Sequence, residues 1–270
     1  MALSRADGNS IVGLRKTSVL ELQAILAELG VNPGDVVMIH SAVFTLGIVE
    51  DGLAGLYRAF RSELGPDGTL IVPTFTYSFR RSEIFDVRNT PSPKVLGAFS
   101  EFVRREEGAV RSPDPLFSMA AVGPEAEDLM RRPSNRCFGE GSIYERLFAR
   151  NMLILALGIT YDTGISAFMH LERLANVEYR RDLLLQGTTV GVDRVAYADS
   201  AVHFERNVER FPDGRRNRIP FGLEMERKGI SSAIEYGSGR HVAIRSKPFE
   251  AYTLEQLNRD PWAMFMRNDG

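Results

Sequence analysis

At 270 residues and 30.1 kDa, with 44% hydrophobic and 25% charged residues, the chain has the composition of an ordinary folded protein, which excludes a disordered or fibrous one. Lys and Arg number 33 against 35 Asp and Glu, and this net charge of −2, without a sustained basic stretch, speaks against a nucleic-acid partner. A single cysteine, Cys137, excludes an internal disulfide framework and a multi-cysteine zinc site, and the lack of a signal-peptide run or membrane-length apolar segment points to a cytoplasmic protein with no membrane partner.

In chain order, Thr17-Ser18 caps a helix whose apolar positions Val19, Leu20, Leu22, Ile25, Leu26 and Leu29 recur at helical spacing until Gly30. Asn32-Pro33-Gly34-Asp35 reads as a turn, and Val36 to Ile39 as a strand buried on both faces that delivers His40 and Ser41 to its end. A helix over 52–64, a turn at 65–68 and a second buried strand, Thr69 to Val72, complete a β-α-β unit ending at Pro73-Thr74. A helix near 143–150 precedes a third strand, Met152 to Leu157, which ends at Gly158; residues 167–176 read as helix and 188–197 as extended.

Helices alternating with short apolar strands predict an α/β fold with a largely parallel central sheet flanked by helices. Ligands of such sheets sit beyond the carboxyl ends of the strands, which places His40, Thr74 and the Gly158 loop around one crevice. With no repeat or linker, 1–270 is expected to be a single domain, with room for a smaller C-terminal lobe over 203–270.

The chain holds four histidines, His40, His170, His203 and His241, and an imidazole is the commonest base near neutral pH. His170, in Phe168-Met169-His170-Leu171-Glu172, faces either core or cleft on a helix, and a hydrogen-bonded structural histidine is the competing reading on residue type alone. For His40, ligand contact and loop ordering through Ser41 compete on equal terms. The chain lacks a Gly-x-Ser-x-Gly elbow, and Cys137 has no adjacent histidine, so a covalent acyl-enzyme is not indicated. Walker loops, Gly-x-Gly-x-x-Gly fingerprints and His-x-x-x-His pairs are also missing, so no nucleotide triphosphate, dinucleotide or metal site is expected. Arg111 and Ser112, in Arg111-Ser112-Pro113-Asp114-Pro115, offer a guanidinium and a hydroxyl on a turn that suits a phosphate or carbonyl, although a surface turn bearing an arginine is commoner.

Taken in order, these segments resemble the aminoglycoside 3-N-acetyltransferase family from about Val36 to Ala233. The resemblance rests on His40-Ser41 with Leu46-Gly47, on Gly68-Thr69-Leu70-Ile71-Val72-Pro73-Thr74, and on the Arg111, Ser112, Pro115, Ser118, Ala121 and Gly123 series. It continues through Phe138-Gly139-Glu140-Gly141-Ser142 and Leu155-Ala156-Leu157-Gly158 to His170, on the family's Thr-x-x-His-x-x-Glu segment. The chain departs from the family at Asp114, in a histidine position, at Ala167, in the threonine position, and at Arg173, in the glutamate position. Glu172 lies one residue early, about 100° around a helix from that position.

The resemblance implies an acetyl-CoA-dependent N-acetyltransferase in which an amine attacks the thioester directly and His170 is the general base, with acetyl-CoA as co-substrate and no metal. It further implies a carboxylate partner for His170, with Asp199 and Glu205 as candidates, and a cofactor-binding set of His40, Ser41, Thr74, Arg111, Ser112 and Ser118. Backbone N–H groups over 41–45 and the Ser118 hydroxyl would serve the developing oxyanion. The partner is a small-molecule amine, an amino sugar or an aminoglycoside of the kind antibiotic resistance enzymes modify, and the protein works alone or as a homodimer. The acidic residues near Glu50-Asp51 and Glu125 to Asp128 are not denser than the arginines nearby, and the segment from Tyr252 to Trp262 looks more like members acting on polysaccharide or secondary metabolites, so an amino sugar comes first. Two other classes stay open: a catalytically silent relative that binds CoA or an amine, and a thioester or amide hydrolase using the same histidine.

Overall fold

The apolar runs of the sequence form the centre of a seven-stranded sheet in a computed structural model that describes residues 15–81 and 83–267. In chain order, β1 (Val36–Ser41), β2 (Thr69–Pro73), β3 (Val110–Arg111), β4 (Met119–Val122) and β5 (Leu153–Leu157) build most of it. The strands β6 (Arg180–Val190) and β7 (Ala196–Arg206) leave it as a long hairpin, and β8 (Ser231–Tyr236) and β9 (Gly239–Arg245) return to it. The order across the sheet is β8-β9-β5-β1-β2-β4-β3.

The α/β class holds, but within this sheet parallel pairing is confined to β5, β1 and β2. The four flanking strands pair antiparallel, so the expectation of a largely parallel sheet is corrected to a mixed one. For the two hairpins, β8–β9 and β3–β4, the reason is connection length: a parallel pair needs a crossover of a dozen or more residues, whereas Gly237-Ser238 alone joins β8 to β9. Gly237 makes this turn at φ +61, and a Cβ there would come within 2.2 Å of the Thr45 carbonyl oxygen.

Helix α1 (Val19–Glu28) starts at the expected cap: Glu21 N–H donates to Ser18 Oγ at 3.2 Å, and Ser18 N–H donates to Glu21 Oε2 at 2.8 Å. It packs with α2 (Gly52–Leu64) and α3 (Ala98–Arg104) on one face of the sheet through Leu22, Leu26, Leu56, Phe60 and Phe99. The short α4 (Ala126–Leu129), then α5 (Ile143–Ala149), α6 (Ala167–Leu174), α7 (Arg218–Arg227) and α8 (Ser246–Arg259) pack on the other. Strand residues alternate between these layers: Val37, Ile39, Leu70 and Val72 enter the first, and Val36, Met38 and Ile71 the second, as a strand covered on both faces requires.

The C-terminal segment is not set apart as a lobe. Strand β9 is hydrogen-bonded to β5, and α8 sends Phe249, Tyr252 and Leu257 into the same core as α5 and α6. The extended reading of 188–197 is also corrected: β6 ends at Val190, residues 191–195 turn, and Ala196 opens β7 opposite Val190.

Candidate active site

Following the alternation of Val36 and Met38, His40 emerges at the carboxyl end of β1, buried at 4% exposure. Its Nε2 shares a hydrogen bond of 3.3 Å with Ser166 Oγ, and Ser166 shares another with the Tyr144 hydroxyl. Ser166 opens α6 four residues before His170, so both side chains lie on the helix face turned towards α5. There the His170 ring is enclosed by Tyr144, stacked at 5.9 Å, and by Phe148 at 4.6 Å.

His170 is 1% exposed, and Gly139 N–H donates to its Nδ1 at 3.1 Å. An amide N–H needs a lone pair, so Nδ1 is unprotonated and the ring's proton is on Nε2. Burial lowers the pKa of His170 to about 3 and that of His40 to about 4, which keeps both rings neutral.

The expected carboxylate partners are engaged elsewhere. Asp199 accepts from Arg132 Nη1 at 2.8 Å and from Thr189 Oγ1 at 2.7 Å, while Glu205 pairs with Arg80 at 2.8 Å and with Arg181 at 3.6 Å. Neither is brought to His170. Glu172 is also committed, lying between Arg180 at 2.5 Å and Arg218 at 2.8 Å with the Tyr179 hydroxyl donating to it. Burial would raise the Glu172 pKa, but the two guanidiniums outweigh it and hold it below the usual value.

The cofactor-binding set gathers at one end of the sheet, though not with donors free for a ligand. Arg111 is buried over the Phe85 ring at 4.9 Å. Its Nη2 donates to Thr74 O at 2.7 Å and to Ser118 Oγ at 3.1 Å, its Nε to Thr74 Oγ1 at 3.2 Å, and its Nη1 to the carbonyls of Val87 and Thr90. With its N–H groups directed at protein oxygens, Arg111 braces the loop around Val87 to Thr90 against the sheet instead of offering a fork to phosphate. Burial lowers its pKa to about 9. Ser118 Oγ also donates to Thr74 O at 2.7 Å, and Ser112 Oγ accepts Met119 N–H at 3.0 Å, so these hydroxyls tie β2 to the β3–β4 hairpin.

Ser41 stays at the strand end, where the loop 42–47 begins. The turn Val43–Leu46 leaves its first N–H groups outside its own hydrogen bonds and exposes Phe44; Val95, two residues before Gly97, which approaches the Ser41 carbonyl, is also exposed. Gly158, at φ +65, closes against this loop, since a Cβ would meet Thr45 Oγ1 at 2.2 Å. Two motif positions are structural: Asp114 Oδ1 accepts the N–H groups of Leu116 at 2.9 Å and Phe117 at 2.7 Å, and burial pushes the Cys137 thiol pKa up, leaving it inert as a nucleophile. Ser166 and Tyr144 escaped the sequence reading, and Gly139 entered it only as part of a motif, without a role. The spacing of four between Ser166 and His170, and between Tyr144 and Phe148, was the signal available for two of them.

A cavity of about 250 Å³ is lined by Phe138, Gly139, Glu140, Arg136, Arg173 and Asn176. Among the described residues no cluster of His, Cys, Asp and Glu could hold a metal ion, and no helix is long and apolar enough to cross a membrane.

This architecture and sequence have known counterparts. The family profile described as aminoglycoside 3-N-acetyltransferase matches residues 38–257. The aminoglycoside N(3)-acetyltransferase IV of Salmonella sp is 33% identical over 247 residues, spanning 89% of this chain and 87% of that protein. The crystal structure of aminoglycoside acetyltransferase AAC(3)-Xa superposes with a TM-score of 0.79 at 25% identity, over 90% of this chain and 93% of its own. A histidine-to-alanine mutant of AAC(3)-IVa in complex with a gentamicin superposes with a TM-score of 0.78 at 28% identity, over 93% of this chain and 92% of its own.

Proposed function

The chain belongs to the aminoglycoside 3-N-acetyltransferase family, and from that premise we propose that it transfers the acetyl group of acetyl-CoA directly to an amine of an amino sugar or aminoglycoside-like acceptor, with His170 as general base. The observation that carries the proposal is the hydrogen bond from Gly139 N–H to His170 Nδ1. It marks an unprotonated imidazole nitrogen whose lone pair is turned towards an N–H donor, and the residue that supplies that donor, Gly139, also lines a cavity. A substrate amine is also an N–H donor, so it can take the place of the Gly139 amide, and as attack on the thioester makes its nitrogen strongly acidic it can give a proton to Nδ1 despite the low pKa that burial imposes on the ring.

Acetyl-CoA would supply an acyl carbon activated as a thioester. The residues fit such a group at the end of β1, where Phe44 and Val95 expose apolar surface for its pantetheine arm and the first N–H groups of the Val43–Leu46 turn could receive the carbonyl oxygen. Holding the amine against the acyl carbon makes the reaction unimolecular. In balance, the acceptor attacks as the free amine: the C–N bond forms, the C–S bond breaks, and the one proton the nitrogen sheds passes to His170 Nδ1 and from there to the departing thiolate, which leaves as the thiol. The tight enclosure of His170 favours a second reading, the catalytically silent relative.

Thiol release from acetyl-CoA with a panel of amines, gentamicin included, separates these readings. His170→Ala is expected to lower kcat by about 10²–10⁴-fold. Parental turnover in that variant removes the histidine from the mechanism. CoA binding without thiol release supports the silent relative, and acetate in place of an N-acetylated product supports a hydrolase.

A further inference from the structure

The cavity lined by Gly139, whose N–H is bonded to His170, is not charged as a polycation would require. Arg173, three residues after His170, donates to Asn176 Oδ1 at 3.0 Å and to Asp182 Oδ2 at 3.1 Å, and its guanidinium lies over the Phe204 ring at 5.0 Å. Its Nε is buried without a hydrogen-bond partner among the described residues. Arg136 reaches the same Asp182 oxygen at 3.4 Å through one nitrogen. One carboxylate therefore serves two guanidiniums, which leaves positive charge and N–H donors in excess on this wall. On the cavity's outer side Glu140 is exposed and makes no ion pair among the described residues. The volume, about 250 Å³, suits a single sugar ring with a substituent better than several linked rings.

Resting on the acetyltransfer reading, we infer that the acceptor taken here is an amino sugar that also bears a phosphate ester, free or nucleotide-linked. Arg173 and Arg136 hold the phosphate oxygens between two planar guanidiniums, a divalent anion competing with the single charge of Asp182 for them, while the amine is left to reach His170 past Gly139. Arg173 stands where the family segment carries a glutamate, so the wall beside the base has the opposite sign at that position.

The test is initial-rate thiol release with glucosamine, glucosamine phosphate, a nucleotide-linked amino sugar and gentamicin, using the parent chain, Arg173→Gln and Arg136→Gln. A phosphate-bearing amine should exceed glucosamine in kcat/KM by about tenfold, and that ratio should collapse towards unity in Arg173→Gln through a rise in KM. Arg136 is 43% exposed, so Arg136→Gln tests the same loss without the core. Which phosphorylated amine is preferred tells a free ester from a nucleotide-linked one, and either result supports the inference. Equal kcat/KM for glucosamine and its phosphate overturns it, as does a preference for gentamicin that depends on His170, which leaves the acetyltransfer reading standing. No thiol release with any amine overturns both.

Discussion

The two faces of the central sheet start from the same alternating apolar strands and end with different contents. Helices α1 to α3 meet one face with Leu22, Leu26, Leu56 and Phe60, a largely aliphatic layer. On the other face, α5 to α8 and the neighbouring loops bring Phe75, Phe117, Phe138, Tyr144, Phe148, Phe168 and Phe249, and among these rings sit His40, Ser166, His170 and the Glu172 triad. An aliphatic layer has no polar atoms to satisfy and serves as scaffold. The aromatic layer carries buried polar groups that hold only while their partners stay in place, so functional chemistry and vulnerability share one face.

Acid should expose that asymmetry most strongly. His40 is held neutral to about pH 4, and His170 and His203 to about pH 3, whereas in the unfolded chain they protonate near 6.5. As pH falls below 6.5 the unfolded state takes up protons first, so the stability is complete above that pH and is lost towards the folded values. Between about pH 7 and pH 5 each imidazole should cost about 2 kcal/mol, roughly 6 for the three. A thermal midpoint that stays flat over this range would contradict the buried neutral rings.

Next in size is a pair of substitutions, one on each face. Glu172→Gln leaves Arg180 and Arg218 uncompensated and should cost about 3–5 kcal/mol, while Leu26→Ala, on the aliphatic face, should cost about 2–5 kcal/mol through its cavity. Urea midpoints measure both. Assayed at a temperature where each variant is folded, Leu26→Ala should keep the parental kcat and Glu172→Gln, on the helix that carries His170, should not. Equal losses of kcat would dissolve the functional distinction between the faces.

The sequence disclosed the central strands shared by the two faces best, because Val36 to Ile39, Thr69 to Val72 and Met152 to Leu157 are apolar at nearly every position, as burial on both faces demands. The long β6–β7 hairpin was read only as one extended stretch over 188–197, and the β8–β9 hairpin was missed, since their residues are mixed in polarity and only short turns, at 191–195 and 237–238, separate their strands. The imidazoles could be named from residue type, but their partners could not. Asp199 finds Arg132 from 67 residues away, and Arg111 finds carbonyls at Val87 and Thr90, contacts that only the folded chain defines.

The smallest effect bears on how the two histidines are linked. The Tyr144 hydroxyl, Ser166 Oγ and His40 Nε2 form a buried chain that ties the start of α6 to the end of β1, and His170 lies one helical turn further along the same face. Tyr144→Phe removes one hydroxyl but keeps the ring that stacks on His170, and Ser166 can still bond His40. About 1 kcal/mol of stability should be lost, and kcat should fall by less than about tenfold, because the helix loses an anchor and not its base. If kcat instead fell as far as in His170→Ala while the urea midpoint barely moved, the hydroxyl would be carrying protons in the reaction, and the chain from Tyr144 to His40 would belong to the chemistry.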